Sequence, residues 1–322
     1  MADQLITYFD TIPSSHRALI LAGGITFFWI IEGVIPMFKN DYGKWKHAKL
    51  NLIFTLTTII INFIFASIIV QASDWTVLNH FGLLQMYPLP TWLFFLIGML
   101  LLDLVGAYFI HWIEHKVKVL WKFHMIHHAD THVDTTTANR HHPGESIFRA
   151  IFTLIGVFIC GAPMWLVMVY QSVSALLSQF NHANISLPAT TDKIISYVIV
   201  SPNMHKIHHH EMRPQTDSNY GNIFSIWDRL FGSFEPEHDA DDHAGRRRHR
   251  ARRVPVPAFA SAVRRARKRS GAPATGSTSP RLPPPARKST RCSRPRRRAR
   301  SRASSATKRA PWCRSTTAPT RA

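Results

Sequence analysis

Four long apolar stretches occupy the first 180 residues, each close to the length a bilayer requires. A spanning helix needs about 20 mostly apolar residues. Residues 18–37 meet that, interrupted by Glu32, and 50–70 meet it with Asn62 as the polar exception. Residues 92–110 come next, with Asp103 inside. The last stretch, 147–180, is too long for one span and is cut by Gly161-Ala162-Pro163. Proline removes a backbone donor and clashes with the preceding turn, so this stretch predicts a hairpin of two short arms. The apolar runs have helical length and little alternation, which gives an all-α, multi-span integral membrane protein. The first run is too long, and lacks the basic leader, for a cleavable signal.

Loop charge orients these spans. Lys39, Lys44, Lys46 and Lys49 lie between the first two, whereas residues 72–90 hold no Lys or Arg. Cytoplasmic loops carry the positive excess. Residues 38–49 are therefore expected in the cytoplasm, 71–91 outside, and the chain returns to the cytoplasm at His111. Lys116, Lys118, Lys122 and Arg140 agree with that.

Histidines crowd the ends of these runs. His111/His115 are spaced HxxxH, and His124/His127/His128 and His205/His208/His209 are each spaced HxxHH. At i, i+3, i+4 the rings project from one helix face. Imidazole is the commonest protein ligand for iron, zinc and copper, and three clusters hold too many ligands for one tetrahedral ion. Two metals are expected, under a histidine-rich cap on the cytoplasmic side. Spacing alone leaves His142 and His182 open between ligand and ordinary interfacial histidine. His132, His141 and His210 lack helical partners and are set aside. Asp134 and Glu145 are candidates to orient ligand imidazoles from behind. Asp103 and Glu32, costly inside spans, are expected to make structural polar contacts, and Asp228 and Asn219 to fix the local fold.

Charge and cysteine content add a boundary. Residues 246–322 carry 25 of the 39 Lys/Arg and none of the 19 Asp/Glu, so the first 245 residues are mildly acidic. An Arg/Pro/Ser/Ala composition buries too little apolar surface to offset chain entropy, and 237–322 reads as a disordered tail. Phosphate neutralisation on nucleic acid, attraction to anionic lipid and a shifted reading frame all fit it. No function is assigned to it, and no nucleic-acid partner is expected. Cys160, Cys292 and Cys313 form no disulfide pattern.

The motifs around the histidines resemble the fatty acid hydroxylase/sterol desaturase superfamily of membrane di-iron enzymes. Trp121-Lys122-Phe123-His124-Met125-Ile126-His127-His128, Asp134 to Arg140 and His142-Pro143 look like its first catalytic block. Asn181-His182-Ala183-Asn184 and Ser201 to His209 look like the second, and Asn219-Tyr220-Gly221-Asn222 with Trp227 to Ser233 like the closing signature. The arginine-rich tail departs from that pattern. The resemblance makes His142 and His182 ligands, for ten in all, and implies two irons with O2 as co-substrate. It divides the chain into membrane helices (1–104), a catalytic region (105–236) containing the 147–180 hairpin, and the tail.

The activity implied by the resemblance is that of an O2-dependent oxidoreductase that hydroxylates or desaturates a lipid (sterol, fatty acyl or isoprenoid) drawn from the bilayer. Zinc binds such nitrogen sites tightly but has no redox chemistry, so purified protein can carry zinc where iron works. The sequence shows no dinucleotide-binding glycine motif, haem-attachment CxxCH or iron–sulfur cysteine set, so electrons come from a separate ferredoxin, cytochrome or reductase. The alternative is a histidine-rich metal-binding or metal-transport protein. Transport sites lie near the bilayer midplane, whereas these histidines sit at the span ends.

Overall fold

A computed structural model describes residues 2–39 and 43–236. The tail expectation, 237–322, lies outside the described residues. Regular structure among the described residues is helical, apart from the isolated bridges Pro36–Ile185 and Ile199–Phe224. The elements in chain order are α1 (Ala2–Asp10), α2 (Ser14–Val34), α3 (Lys44–Leu78), α4 (Thr91–Asp103), α5 (Ile110–Lys116), α6 (Lys118–His128), α7 (Pro143–Cys160), α8 (Met164–His182), α9 (Ala189–Ile195), α10 (Pro202–His208) and α11 (Ile226–Phe231).

Four stretches are long and apolar enough to cross a membrane: Ser14–Val34, Lys44–Gln85, Thr91–Lys116 and Pro143–Cys160. The outer faces of these helices are apolar, with Phe63 82% and Trp92 67% exposed, as suits a bilayer rather than water. The second helix outruns the predicted 50–70 at both ends. Its first turns carry Trp45 and His47, which apolarity cannot detect but helical hydrogen bonding accommodates. Leu102, Val157, Leu166 and Val167 lie in the interior between α4, α7 and α8.

The break at Gly161-Ala162-Pro163 separates α7 from α8, as the proline predicts. Gly161 caps α7 in the left-handed region (φ 69°), which glycine enters without a Cβ penalty. A Cβ at Gly82 would lie 2.3 Å from the Gly161 nitrogen, so the two turns meet backbone to backbone. Ser73 Oγ donates to Ala162 O at 2.8 Å, closing the same end. α8 is not among the four apolar spans; it carries Gln171, Ser174, Ser178 and Asn181.

The third span contains a feature the sequence did not announce. Residues Leu104–Phe109 are π-helical, linking α4 to α5. The wider turn shifts the register between the lower helix and the histidine-bearing one. Asp103, on one side of it, accepts from Ile223 N, Phe224 N and Trp227 Nε1 at 3.2, 3.1 and 3.0 Å. His111 and His115, on the other side, turn towards α6 and α10. Asp103 thus anchors the closing segment, and Glu32 does the same at the end of α2. It accepts from Thr135 N and Asn184 N at 2.7 and 2.9 Å and pairs with Lys44 at 3.0 Å.

Candidate metal centre

Every histidine cluster lies at one end of the bundle, where α5, α6, α10 and the C-terminus of α8 converge. The rings sort into two groups. His111, His115, His124, His128 and His208 present ligating nitrogens within 4.8 Å of one another; so, separately, do His127, His182, His205 and His209. The HxxHH runs are split between groups, since neighbouring helical residues point about 100° apart. His127 goes to one group and His128 to the other, and His208 and His209 divide likewise.

Backbone and carboxylate acceptors fix the ring orientations. The Nδ1 atoms of His111, His182 and His208 face the carbonyls of Tyr220, Ser178 and Ser218 at 2.8, 2.7 and 2.7 Å. A carbonyl only accepts, so each Nδ1 carries the proton and each Nε2 is left as a bare lone pair. His124 Nδ1 donates to Glu145 Oε1 at 2.8 Å, and His115 Nδ1 lies 3.4 Å from Asp217 Oδ1. The Nε2 atoms of His111, His115, His124, His128, His208 and His209 are buried without a hydrogen-bond partner. Buried imidazole nitrogens are rarely left unsatisfied, so this constellation fits metal ions.

Electrostatics agrees. Burial holds His124, His127, His128, His205, His208 and His209 well below the usual imidazole range, and neighbouring histidines push the same way. Neutral imidazole is the form that ligates. Burial also lowers the Lys206 ammonium to about 7, and its Nζ donates to His182 O.

Of the ten histidines proposed from sequence and resemblance, the structure brings nine together. His142 stands apart: it caps α7, with Nδ1 accepting from Gly144 N at 3.0 Å and its ring against Phe123. Its neighbour His141, set aside on spacing, lies closer to the centre. Its ring stacks on His127 at 5.0 Å, and its nitrogens contact Glu145 Oε1 at 2.7 Å and Ala138 O at 3.0 Å.

Glu145 holds His124 from behind. Asp134 has a different place: it caps the turn Thr135–Asn139 and lies 3.1 Å from His47 Nδ1. Two residues escaped the sequence reading, Glu114 and Arg149. Glu114 and Glu145 share the Arg149 guanidinium, with Arg149 Nη2 to Glu114 Oε2 at 2.7 Å and Nε to Glu145 Oε1 at 3.0 Å. Glu114 stands three residues after His111 and Arg149 four after Glu145, the helical spacing that could have flagged both. Further out, Asp130 is held below its ordinary carboxylate range despite burial, by bonds from His47 and Thr137. Asn51 and Arg140 complete that layer.

A cavity of about 520 Å³ reaches this centre between α3, α7 and α8. His111, His127, His182 and His205 line its inner end.

Comparisons with known proteins point one way. Residues 95–233 match the family described as fatty acid hydroxylase. Ornithine lipid hydroxylase OlsE of Rhizobium tropici is 26% identical over 129 residues, 40% of this chain and 38% of that protein. Alkylglycerol monooxygenase of Danio rerio is 29% identical over 142 residues, 42% of this chain and 29% of that protein. A cholesterol 25-hydroxylase-like protein of the same fish is 27% identical over 134 residues, 40% of this chain and 51% of that protein. The chain therefore spans well under two thirds of the length of these relatives. No solved structure matches.

Proposed function

We propose that this chain, which belongs to the fatty acid hydroxylase/sterol desaturase superfamily through residues 95–233, is a membrane-embedded lipid hydroxylase that uses two irons and O2. The observation that carries the reading is the pairing of two converging imidazole groups with a cavity that opens onto them from between the spans. His111, His115, His124, His128 and His208 would hold one ion, and His127, His182, His205 and His209 the other. His142 is not assigned a ligand role. When bound, the irons supply the redox chemistry that couples reduction of O2 to oxidation of an unactivated C–H bond.

The chain's own residues prepare that chemistry. Nδ1–H donation to the carbonyls of Tyr220, Ser218 and Ser178 keeps Nε2 of His111, His208 and His182 deprotonated and aimed inward. Glu145 does the same for His124, and Arg149 offsets the charge of Glu145 and Glu114 so that both carboxylates stay buried. Trp121 packs 4.9 Å from His115, and Tyr220 5.1 Å from it, setting aromatic rings against the five-histidine group. The cavity would admit a C–H bond to its inner end, beside His111, His127, His182 and His205. Hydroxylation places one oxygen atom in the product and releases the other as water, so it needs electrons from a separate ferredoxin, cytochrome or reductase. Hydroxylation is preferred to desaturation because the relatives are named as hydroxylases and monooxygenases.

Orientation is part of the proposal. The lysine-rich segments around Lys44 and Lys118 flank the histidine end, and the lysine-free residues 72–90 the opposite end, which favours a cytoplasmic metal centre. Residues 105–236 act as the catalytic region, but the helices of 1–104 brace it through Glu32, His47 and Asn51. The test is elemental analysis of detergent-purified protein, then incubation of the iron-loaded form with a lipid extract, O2 and a reductant. About two irons per chain and an oxygenated lipid support the reading; iron-loaded protein that oxidises no lipid defeats it.

A further inference from the structure

The cavity has two ends, and the second also carries chemistry. Its wall on α8 includes the stripe Met164, Met168, Gln171, Ala175, Ser178 and His182, spaced by three and four residues along one face. Thr55, Ile59, Asn62, Ala66 and Ile69 form the facing stripe on α3. At the end remote from the histidines lies Arg17, in the first turns of α2. Arg17 Nη1 contacts Met168 Sδ at 3.9 Å. From Met168 to His182 is fourteen residues of helix, about 21 Å at ~1.5 Å per residue.

The wall between these ends is less polar than its residue names imply. Thr55, Ser172 and Thr153 donate their hydroxyls back to their own helices, to Asn51 O, Met168 O and Arg149 O at 3.0, 2.8 and 2.9 Å. Thr58 and Ser146 bond each other at 3.1 Å, and Ser174 Oγ accepts from Asn222 Nδ2 at 2.8 Å. With their hydrogen bonds spent, these side chains offer methyl and methylene surface to whatever lies alongside. Asn62, Gln171 and Ser178 are polar exceptions along a path that otherwise suits a hydrocarbon chain.

Arg17 differs. Two guanidiniums line the cavity, and the inner one, Arg149, is tied to Glu114 and Glu145. The outer one has neutral partners, Ser14 Oγ at 2.9 Å and the Met168 sulfur. Among the described residues no carboxylate forms an ion pair with Arg17. Its side chain is exposed at the bundle end, where the fork of donors can take an anionic oxygen.

From this arrangement we infer that Arg17 is the headgroup anchor of the substrate site: the cavity takes an anionic amphiphile lengthwise, its carboxylate or phosphate on Arg17 and its chain running along α8 to the histidines. The carbon presented to the metal centre is then remote from the headgroup, on the order of 20 Å away. The inference rests on the lipid-hydroxylase reading and adds to it the charge, orientation and length of the ligand.

Binding tests it without turnover. The full chain, in nanodiscs of neutral lipid, is titrated with radiolabelled palmitate, palmitoyl lysophosphatidate and hexadecanol, which share a chain length but differ in headgroup. Wild type is expected to bind one or both anions more tightly than the alcohol, and the preferred anion tells a carboxylate source from a phosphate one. Arg17→Ala should weaken anion binding on the order of tenfold, leave hexadecanol unchanged, and keep helical content and metal content at wild-type levels. Arg17→Lys should restore part of the loss. Ala175→Trp, mid-cavity, should weaken all three ligands. Equal affinity of wild type and Arg17→Ala for the anions, or binding that Ala175→Trp leaves intact, overturns the anchor while the lipid-hydroxylase reading stands. Failure of metal-loaded wild type to bind any of the three overturns both.

Discussion

His182 and His205 face each other through their Nε2 atoms at 3.1 Å, although one ends α8 and the other lies in α10. His127 completes the contact from α6, with its Nε2 also 3.1 Å from that of His182. His182 Nδ1 is committed to Ser178 O, so its Nε2 bears no proton in the neutral ring. A proton on Nε2 of His205 or His127, or a cation among the three rings, would satisfy that lone pair, which suits the ion proposed for this group.

Single-ligand variants should therefore separate the two ions. His208→Ala is expected to lower the metal of the five-histidine group, and His127→Ala that of the four-histidine group, each with helical content preserved. Metal stoichiometry per chain, read alongside circular dichroism, checks this. Unchanged metal content in both variants would remove the assignment.

Glu145 is expected to act through His124 rather than on substrate. Glu145→Gln keeps the shape but weakens the acceptor that fixes the imidazole, and metal affinity should drop ~10- to 100-fold. Competition against a chelator measures it. Arg149→Met should be worse for stability than Glu145→Gln, because it leaves Glu114 and Glu145 buried without their shared cation.

Acid should destabilise the metal-free chain. Burial holds His124, His127, His205 and His208 well below the ordinary imidazole value, while in the unfolded chain each titrates near ~6.5. Between those values the unfolded state binds protons that the folded state does not. Stability is then fully present above about 6.5 and falls as pH drops below it. Thermal melts of metal-free protein between neutral and mildly acidic pH check the sign. A melting temperature that rises on acidification would contradict it.

Asp103 should matter to the closing segment and not to the metals directly. Asp103→Ala strips acceptors from Ile223 N, Phe224 N and Trp227 Nε1 in a buried position, costing about 1–3 kcal/mol per group left unsatisfied. A lowered melting temperature, with metal lost only once the chain has unfolded, is the expected result.

Every residue assigned to the two groups lies between His111 and His209. Deleting 246–322 should accordingly leave metal content and lipid binding unchanged, as titration of the truncated chain would show.

Much of this protein was legible in one dimension because the bilayer and the helix impose short periods. Apolar length marked the spans, Pro163 marked the break between α7 and α8, and the i, i+3, i+4 spacing gathered the histidines on helix faces. These are local rules, and they hold wherever the chain folds. Other features depend on helices distant in sequence meeting. Which histidine joins which group came from the packing of α5, α6, α8 and α10, and the same packing drew His141 close while leaving His142 to cap α7. The π-helical turn before His111 set the direction of His111 and His115 without any signature in composition. Glu114 and Arg149 could be read as an ordinary charged pair until a third element, α6, brought His124 against Glu145. Arg17 and the histidines stand at opposite ends of one cavity only because α2, α3 and α8 enclose it. The sequence by itself determined the apolar spans, the helical faces and the imidazole groups they carry, since each is set by neighbours along the chain. The tertiary structure alone decided the pairing of the histidines and the path that leads to them, because both are properties of the space between helices.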